Sequence, residues 1–289
     1  MLRSRRFWAL LAVGLWGLLA LLGPALAPYN FARQDRAAIL LAPCRHCEAT
    51  LHPAGGSLEA VALGPHWLGT DEYGRDEFSR LLVACRVSLL LSLAMALLAL
   101  VLALPAALLS AAYASGDGVL RWLGEVTRSL PWIFVLVAVR AALPLDSPRL
   151  VVLAALVILF AAGSWAVPAW VLRGAARDLL RRDFVTAARA MGAGRVYILR
   201  RHILPNLGPL AATYFALLFA AAATVEVSLS LVGLGVPPPL PSWGNMLLPL
   251  KDIALAGQAW WLYCPLLVLV PVVTCLNLYA FAQARQRSA

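Results

Sequence analysis

The sequence predicts an all-α integral membrane protein with six transmembrane helices and both termini in the cytoplasm. Three observations predict it. Hydrophobic residues make up 62% of the 289-residue chain and charged residues only 13%, a balance soluble domains do not show. The apolar residues fall into runs that can cross a bilayer, at about 20 residues each, and the length suits roughly six of them plus loops. The net charge of +10 is carried mostly by arginines at the two ends and in one internal segment, residues 173–206. That is the orientation signal of a membrane protein, positive segments inside, and not a nucleic-acid face.

Taken in order, Arg3, Arg5 and Arg6 precede an apolar run over 7–27. Ala25-Leu26-Ala27 has the look of a signal-peptide cleavage site, but the run exceeds the usual ~7–15 residues of such a signal. Pro28 would also follow the cut. Residues 1–27 therefore read as a retained N-terminal helix. Residues 28–86 form the longest polar stretch, and alternation of sides puts it outside. Here Cys44-Arg45-His46-Cys47, with His52 close by, leaves three readings open. An oxidising compartment favours a Cys44–Cys47 disulfide, a soft metal would use Cys44, His46, Cys47 and His52 as weak candidates, and the set can also be without role. Cys85, Cys264 and Cys275 lie in or beside spans and read as packing residues. The stretch closes with His66-Trp67-Leu68-Gly69-Thr70-Asp71-Glu72-Tyr73-Gly74-Arg75-Asp76-Glu77-Phe78-Ser79-Arg80. Gly69 and Gly74 allow tight turns, and Asp71, Arg75, Asp76 and Arg80 can pair locally.

Residues 87–282 hold the remaining five spans, over about 87–113, 129–143, 150–170, 207–236 and 260–281. An inner turn is expected at Gly116-Asp117-Gly118, and a cytoplasmic tail at 283–289. Arg140 lies in the third of the six spans and is expected to snorkel to the outer surface. Glu226 lies in the fifth, where a carboxylate is a functional candidate: a proton carrier, a buried structural hydrogen bond or a pore-facing group. Pro237-Pro238-Pro239 cannot continue that helix, and with Pro241-Ser242-Trp243-Gly244 they predict a rigid outer turn. Trp260 and Trp261 suit a membrane interface.

The segment 173–206 interrupts these spans. Phe184, Ala187, Ala188 and Met191 recur at helical spacing, predicting a short amphipathic helix with Asp183 at its N-cap. Gly192 and Gly194 break it. Val196, Leu199 and Ile203 form a second apolar stripe that Pro205 stops, and Arg189, Arg195, Arg200 and Arg201 decorate the outside.

The order Asp183, Thr186-Ala187-Ala188, Gly192, Ile203-Leu204-Pro205 resembles the EAA loop of ABC-importer permeases. In that family the loop docks into a cleft on the cytoplasmic ATPase. The resemblance thus implies that Asp183, Thr186, Ala187, Ala188, Gly192, Ile203, Leu204 and Pro205 form the ATPase-coupling element. Two positions depart from the pattern. Thr186 stands where the family usually has Glu, which retains only part of a charged capping arrangement. Trp170 stands where an Arg often precedes the loop, although Arg173-Gly174 matches. The outer stretch carrying His66, Gly69, Thr70, Asp71, Gly74, Arg75, Asp76, Ser79 and Arg80 is similar to the signature ahead of the second span in the dipeptide/oligopeptide/nickel branch. The run 226–236 and the turn of Pro237, Pro238, Ser242, Trp243 and Gly244 resemble segments of the same branch.

The resemblance covers roughly residues 60–280. It implies a permease of the bacterial cytoplasmic (inner) membrane that works with a homologous second permease, two ATP-binding subunits and an extracytoplasmic solute-binding protein. The outer turn would be a docking surface for the binding protein. Peptide is the first expectation for the solute and a nickel chelate the second. The chain has no G-x-x-x-x-G-K-[ST] loop, so ATP-Mg is expected in a partner and no cofactor on this chain. A proton-coupled secondary transporter using Glu226 is the rival of a different class. Nothing supports an intramembrane enzyme, since the chain lacks H-E-x-x-H, G-x-S-x-G and paired intramembrane aspartates.

Overall fold

The computed structural model describes residues 14, 16–45, 47–51, 59–144 and 147–288. The regular structure of the described chain is helical apart from one two-stranded antiparallel sheet, in which β1 (Cys47–Leu51) pairs with β2 (Glu59–Leu63) ahead of α2. The helices are α1 (Trp16–Leu26), α2 (Glu77–Ala112), α3 (Ala114–Ser129), α4 (Trp132–Ala142), α5 (Arg149–Ser164), α6 (Ala166–Leu180), α7 (Asp183–Ala190), α8 (Arg195–Ile198), α9 (Leu204–Leu231), α10 (Trp243–Met246), α11 (Ile253–Gln258) and α12 (Cys264–Ser288).

Three helical stretches are individually long and apolar enough to cross a membrane: α2, the continuous run Arg195–Leu231, and Trp260–Arg285. Each contains an apolar window of mean hydropathy 2.8, 1.8 and 2.0 in turn, the composition of a helix with no watered face. Pro105, Pro209 and Pro271 sit inside them, a tolerance typical of spanning helices. Two bent pairs raise the number of candidate spans to as many as five, if each pair is one span. Helices α3 and α4 bend by 73°. Pro131 caps α4, and the preceding Leu130 is extended at φ −85° and ψ 128°, as a residue before proline prefers. Helices α5 and α6 bend by 46°, where Pro168 in the first turn of α6 withdraws a hydrogen bond from the preceding turn.

The bend between α3 and α4 corrects the sequence reading. Gly116-Asp117-Gly118, expected as a turn, is helical, and so is the segment 121–128. Likewise α6 runs on to Leu180, so Arg173 belongs to a helix and not to the loop. Arg140 is 8% exposed, buried instead of snorkelling.

The chain divides into two units, with boundaries inside α2, α9 and α12. The first comprises, among the described residues, 91–222 and 275–288. Its core joins Ala107 of α2 to Leu172 and Ala176 of α6, Val185 and Ala188 of α7, and Ile198, Leu199, Ile203 and Leu207 beyond. The second comprises residues 11–90 and 223–274. Its core gathers Trp261, Leu262 and Cys264 with Leu40, Leu68 and Leu81.

Candidate functional site

In the first unit, α7 stands on a foundation made by its own chain. Val185 and Ala188 are 0% and 3% exposed, packed among the core residues named above, whereas Phe184 is 41% and Met191 82% exposed. Of the apolar stripe Phe184, Ala187, Ala188 and Met191, only Ala188 is buried, and Ala187 and Thr186 are open. Asp183 is not the N-cap either: Arg182 takes that place without a side-chain bond, and Asp183 is the first helical residue. There its carboxylate still complements the helix dipole.

The helix ends in a Schellman motif. Gly192 sits at φ +87°, Ala193 N–H donates to Ala188 O at 3.0 Å, and Gly192 N–H donates to Arg189 O at 2.9 Å. A left-handed residue at this place makes glycine the natural occupant. Gly194 then caps α8. Leu199 and Ile203 are buried as expected, but Val196 is 59% exposed and Ile198 takes its place inside.

Pro205 does not stop the helix. A π-helical turn over Leu199–Ile203 leads straight into α9, with the Leu204 N–H donating to Leu199 O. The wider turn makes room for a proline that would otherwise crowd the carbonyl four residues back. Phe184, Tyr197 and His202 cluster on the open side, with ring centroids 6.1 Å and 5.8 Å from His202.

The same unit holds a charge cluster that the sequence did not announce. Asp117 of α3 receives Arg173 and Arg177 of α6 on one oxygen, the latter at 3.1 Å, and Arg121 on the other at 3.0 Å. Arg173 also lies 4.7 Å from the Trp170 ring centroid, and Arg128 lies 5.6 Å from it on another approach. Trp170, at a position where the resembled family often has Arg, is thus a platform for cations. The signal available in the sequence was an acid between two glycines, misread as turn chemistry.

In the second unit the outer signature folds into a knot of hydrogen bonds. Asp71 accepts from the Tyr73 and Arg75 amides, both at 2.9 Å, and from Arg75 Nε at 2.6 Å. Arg80 approaches Asp71 at 3.6 Å. Asp76, grouped in the sequence with the arginines, instead pairs with buried His66 at 2.8 Å and accepts from the Ser79 amide and hydroxyl at 2.8 and 2.7 Å. Thr70 donates to Ala38 O and accepts from Leu41 N–H, while its carbonyl accepts from Trp261 Nε1 at 3.0 Å. Tyr29 stacks on His66 at 5.1 Å. Burial raises the Tyr29 phenol above its ordinary range, Asp76 raises it further, and Arg33 opposes both.

Glu226 is fully buried in the same unit. One carboxyl oxygen accepts from Ser230 Oγ at 2.9 Å and Ser242 Oγ at 2.7 Å, and the other faces Ser88 Oγ at 3.3 Å. Ser88 in turn accepts from the Trp243 amide at 3.0 Å. Ser242 closes a capping box with Asn245 at the start of α10. The carboxyl therefore links α2, α9 and the outer turn, and Trp243 beside it is completely buried. Gly244 and Pro238, placed by the sequence in a docking turn, differ: Gly244 is enclosed by Ser230 and Val227, whereas Pro238 lines a cavity.

Cys44 is disulfide-bonded. His46, His52 and the side chain of Cys47 lie outside the described residues, as does the start of the first apolar run.

The described residues form a helical frame with three and up to five candidate membrane spans, and the comparisons place it among transport permeases. Residues 99–287 match the family described as the inner membrane component of binding-protein-dependent transport systems, and the chain belongs to that family. It is 35% identical over 256 residues to a provisionally named peptide permease protein of Brucella suis biovar 1, covering 83% of this chain and 82% of the relative. It is 33% identical over 263 residues to the di/tripeptide transport system permease protein DppC of Pseudomonas aeruginosa, covering 90% of this chain and 79% of that one.

Proposed function

We propose that this chain is one permease subunit of an ATP-driven importer of short peptides in the bacterial inner membrane. The observation that carries the reading is the two-faced α7. One face, Val185 and Ala188, is welded to α6 and the start of α9, and the other offers Phe184, Ala187 and Met191. A partner that grips the open face moves the buried face with it, and so moves the spans on either side. That partner is the ATP-binding subunit, which hydrolyses ATP, because this chain has no nucleotide-binding loop.

The complete assembly has this chain, a homologous second permease, two ATP-binding subunits and an extracytoplasmic solute-binding protein. Six spans follow if each bent pair crosses once and α1 is counted as a sixth; an even number puts both termini on one side, and the arginine-rich segments put that side inside. Peptide is favoured as solute by the names that the relatives carry. The hydroxyls that surround Glu226 favour a fixed, structural carboxyl over a proton carrier.

The test is purification of the tagged chain in mild detergent, followed by reconstitution. Recovery of an ATPase and a second permease, with ATP-dependent uptake of alanyl-alanine, is the expected result. Recovery of the chain alone, moving peptide in ATP-free vesicles, would sink the proposal.

A further inference from the structure

The second unit contains an outer cavity of about 440 Å³ between the signature loop, the start of α2 and the proline-rich turn. That volume is within the range of small-molecule sites. Its polar lining is unevenly satisfied. Asp71 is saturated by three donors. Glu77 and Arg80, one turn apart on α2 and 1% and 4% exposed, are not. Among the described residues, Glu77 Oε2, Arg80 Nε and Arg80 Nη1 have no hydrogen-bond partner. The nearest approach between the two side chains is 4.0 Å, from Arg80 Nε to Glu77 Oε1, too long for a hydrogen bond. Buried charged groups without hydrogen bonds are costly. Both line this cavity.

The lining places the carboxyls of Asp71, Glu72 and Glu77 beside the guanidinium groups of Arg75 and Arg80. Glu77 Oε2 calls for a donor and Arg80 for an acceptor, so a ligand that carries both groups side by side fits. Pro238, Pro239, Leu240 and Met246 supply an apolar wall. No thiol or imidazole lines the cavity, which argues against a soft metal.

We propose that this cavity is an outer-face subsite for the free amino end of a peptide. Glu77 Oε2 accepts from the α-ammonium, Arg80 donates to the carbonyl oxygen of the same residue, and the first side chain lies on the proline wall. Every peptide with a free amino end presents that ammonium-plus-carbonyl pair whatever its sequence, so the site would select the end and not the side chain. The inference rests on the peptide reading above but can be tested apart from it.

The probes are alanyl-alanine and N-acetyl-alanyl-alanine, offered to the purified full chain in detergent and read by saturation-transfer NMR. Alanyl-alanine should bind, and acetylation should weaken binding at least tenfold by removing the ammonium. Glu77→Gln should erase the preference for the free amino end. Leu248→Trp, a bulky change at a lining residue outside the charged pair, should abolish binding, and unchanged melting temperatures of both variants guard against a folding defect. Equal response to both probes, or binding unchanged in Leu248→Trp, would overturn the subsite. ATP-driven uptake of alanyl-alanine by the reconstituted assembly alongside either result would leave the importer reading standing. Selective binding by the chain without such uptake would uphold the cavity and remove the importer reading.

Discussion

Two glycines with nearly the same backbone show how differently one residue type is used. Gly74 and Gly192 have φ of +69° and +87°, where an L side chain costs about 1–2 kcal/mol. A Cβ at Gly74 would also overlap the carbonyl oxygen of Asp35, whereas one at Gly192 would meet nothing within 4 Å. Gly74→Ala should therefore lower the thermal stability of the detergent-solubilised protein well beyond Gly192→Ala, by scanning fluorimetry. An equal shift for the two would show that the Asp35 contact yields freely. Gly192→Val adds β-branching to the same strained corner and should leave the protein inserted. In the reconstituted assembly it should uncouple ATP hydrolysis from uptake, because the turn between α7 and α8 can no longer hold its Schellman bonds. Normal uptake by Gly192→Val would remove this corner from the coupling mechanism.

At the level of the element, the sequence located α7 and its glycine corner but did not show which of its faces the rest of the chain covers. Phe184, Ala187, Ala188 and Met191 satisfy helical periodicity, and Val185 with Ala188 marks a second apolar stripe beside it. Periodicity reports that a face is apolar and not what covers it. A helix gripped on both sides, by its own chain and by a partner, shows two such stripes. Pro205 was misjudged for a related reason. Proline forbids an ordinary α-turn, but the π-turn over Leu199–Ile203 is a solution that residue identity alone does not reveal. The outer signature was legible as turns and local pairs because its partners are close in sequence. Its ties to Ala38, Leu41 and Trp261 are distant contacts and were not. The two faces of α7 give opposite expectations. Val185→Asp buries a lone charge and should sharply reduce the yield of folded protein. The double change Phe184→Ala, Met191→Ala should fold normally and weaken association with the ATP-binding subunit at least roughly tenfold, since a buried interface anchor is worth about 2 kcal/mol. Co-purification measures it, and undiminished recovery of the ATPase would place the docking face elsewhere.

For the molecule as a whole, the choice between an ATP-driven and a proton-driven transporter comes down to Glu226. Membrane class was legible because apolar composition is read directly, and three of the expected six spans, or as many as five, have a long apolar helix or bent pair behind them. The bends were not, since Pro131 follows a mixed segment and Pro168 falls within an apolar one, and neither position fixes an angle. Glu226 was legible as unusual but not as saturated, because Ser88 and Ser242 stand 138 and 16 residues away. A proton carrier must exchange its proton with water at some stage of the cycle, whereas this carboxyl is 0% exposed and ringed by three hydroxyls of its own chain. Glu226→Gln keeps the shape and one acceptor oxygen, and the serine hydroxyls can rotate to meet it. The cost should be about 1–3 kcal/mol of stability, seen as a lower melting temperature. ATP-driven uptake should persist, with the same pH profile as the unaltered protein. A Glu226→Gln protein that folds and assembles with its partners yet transports nothing at any pH would return the carboxyl to the transport cycle and revive proton coupling.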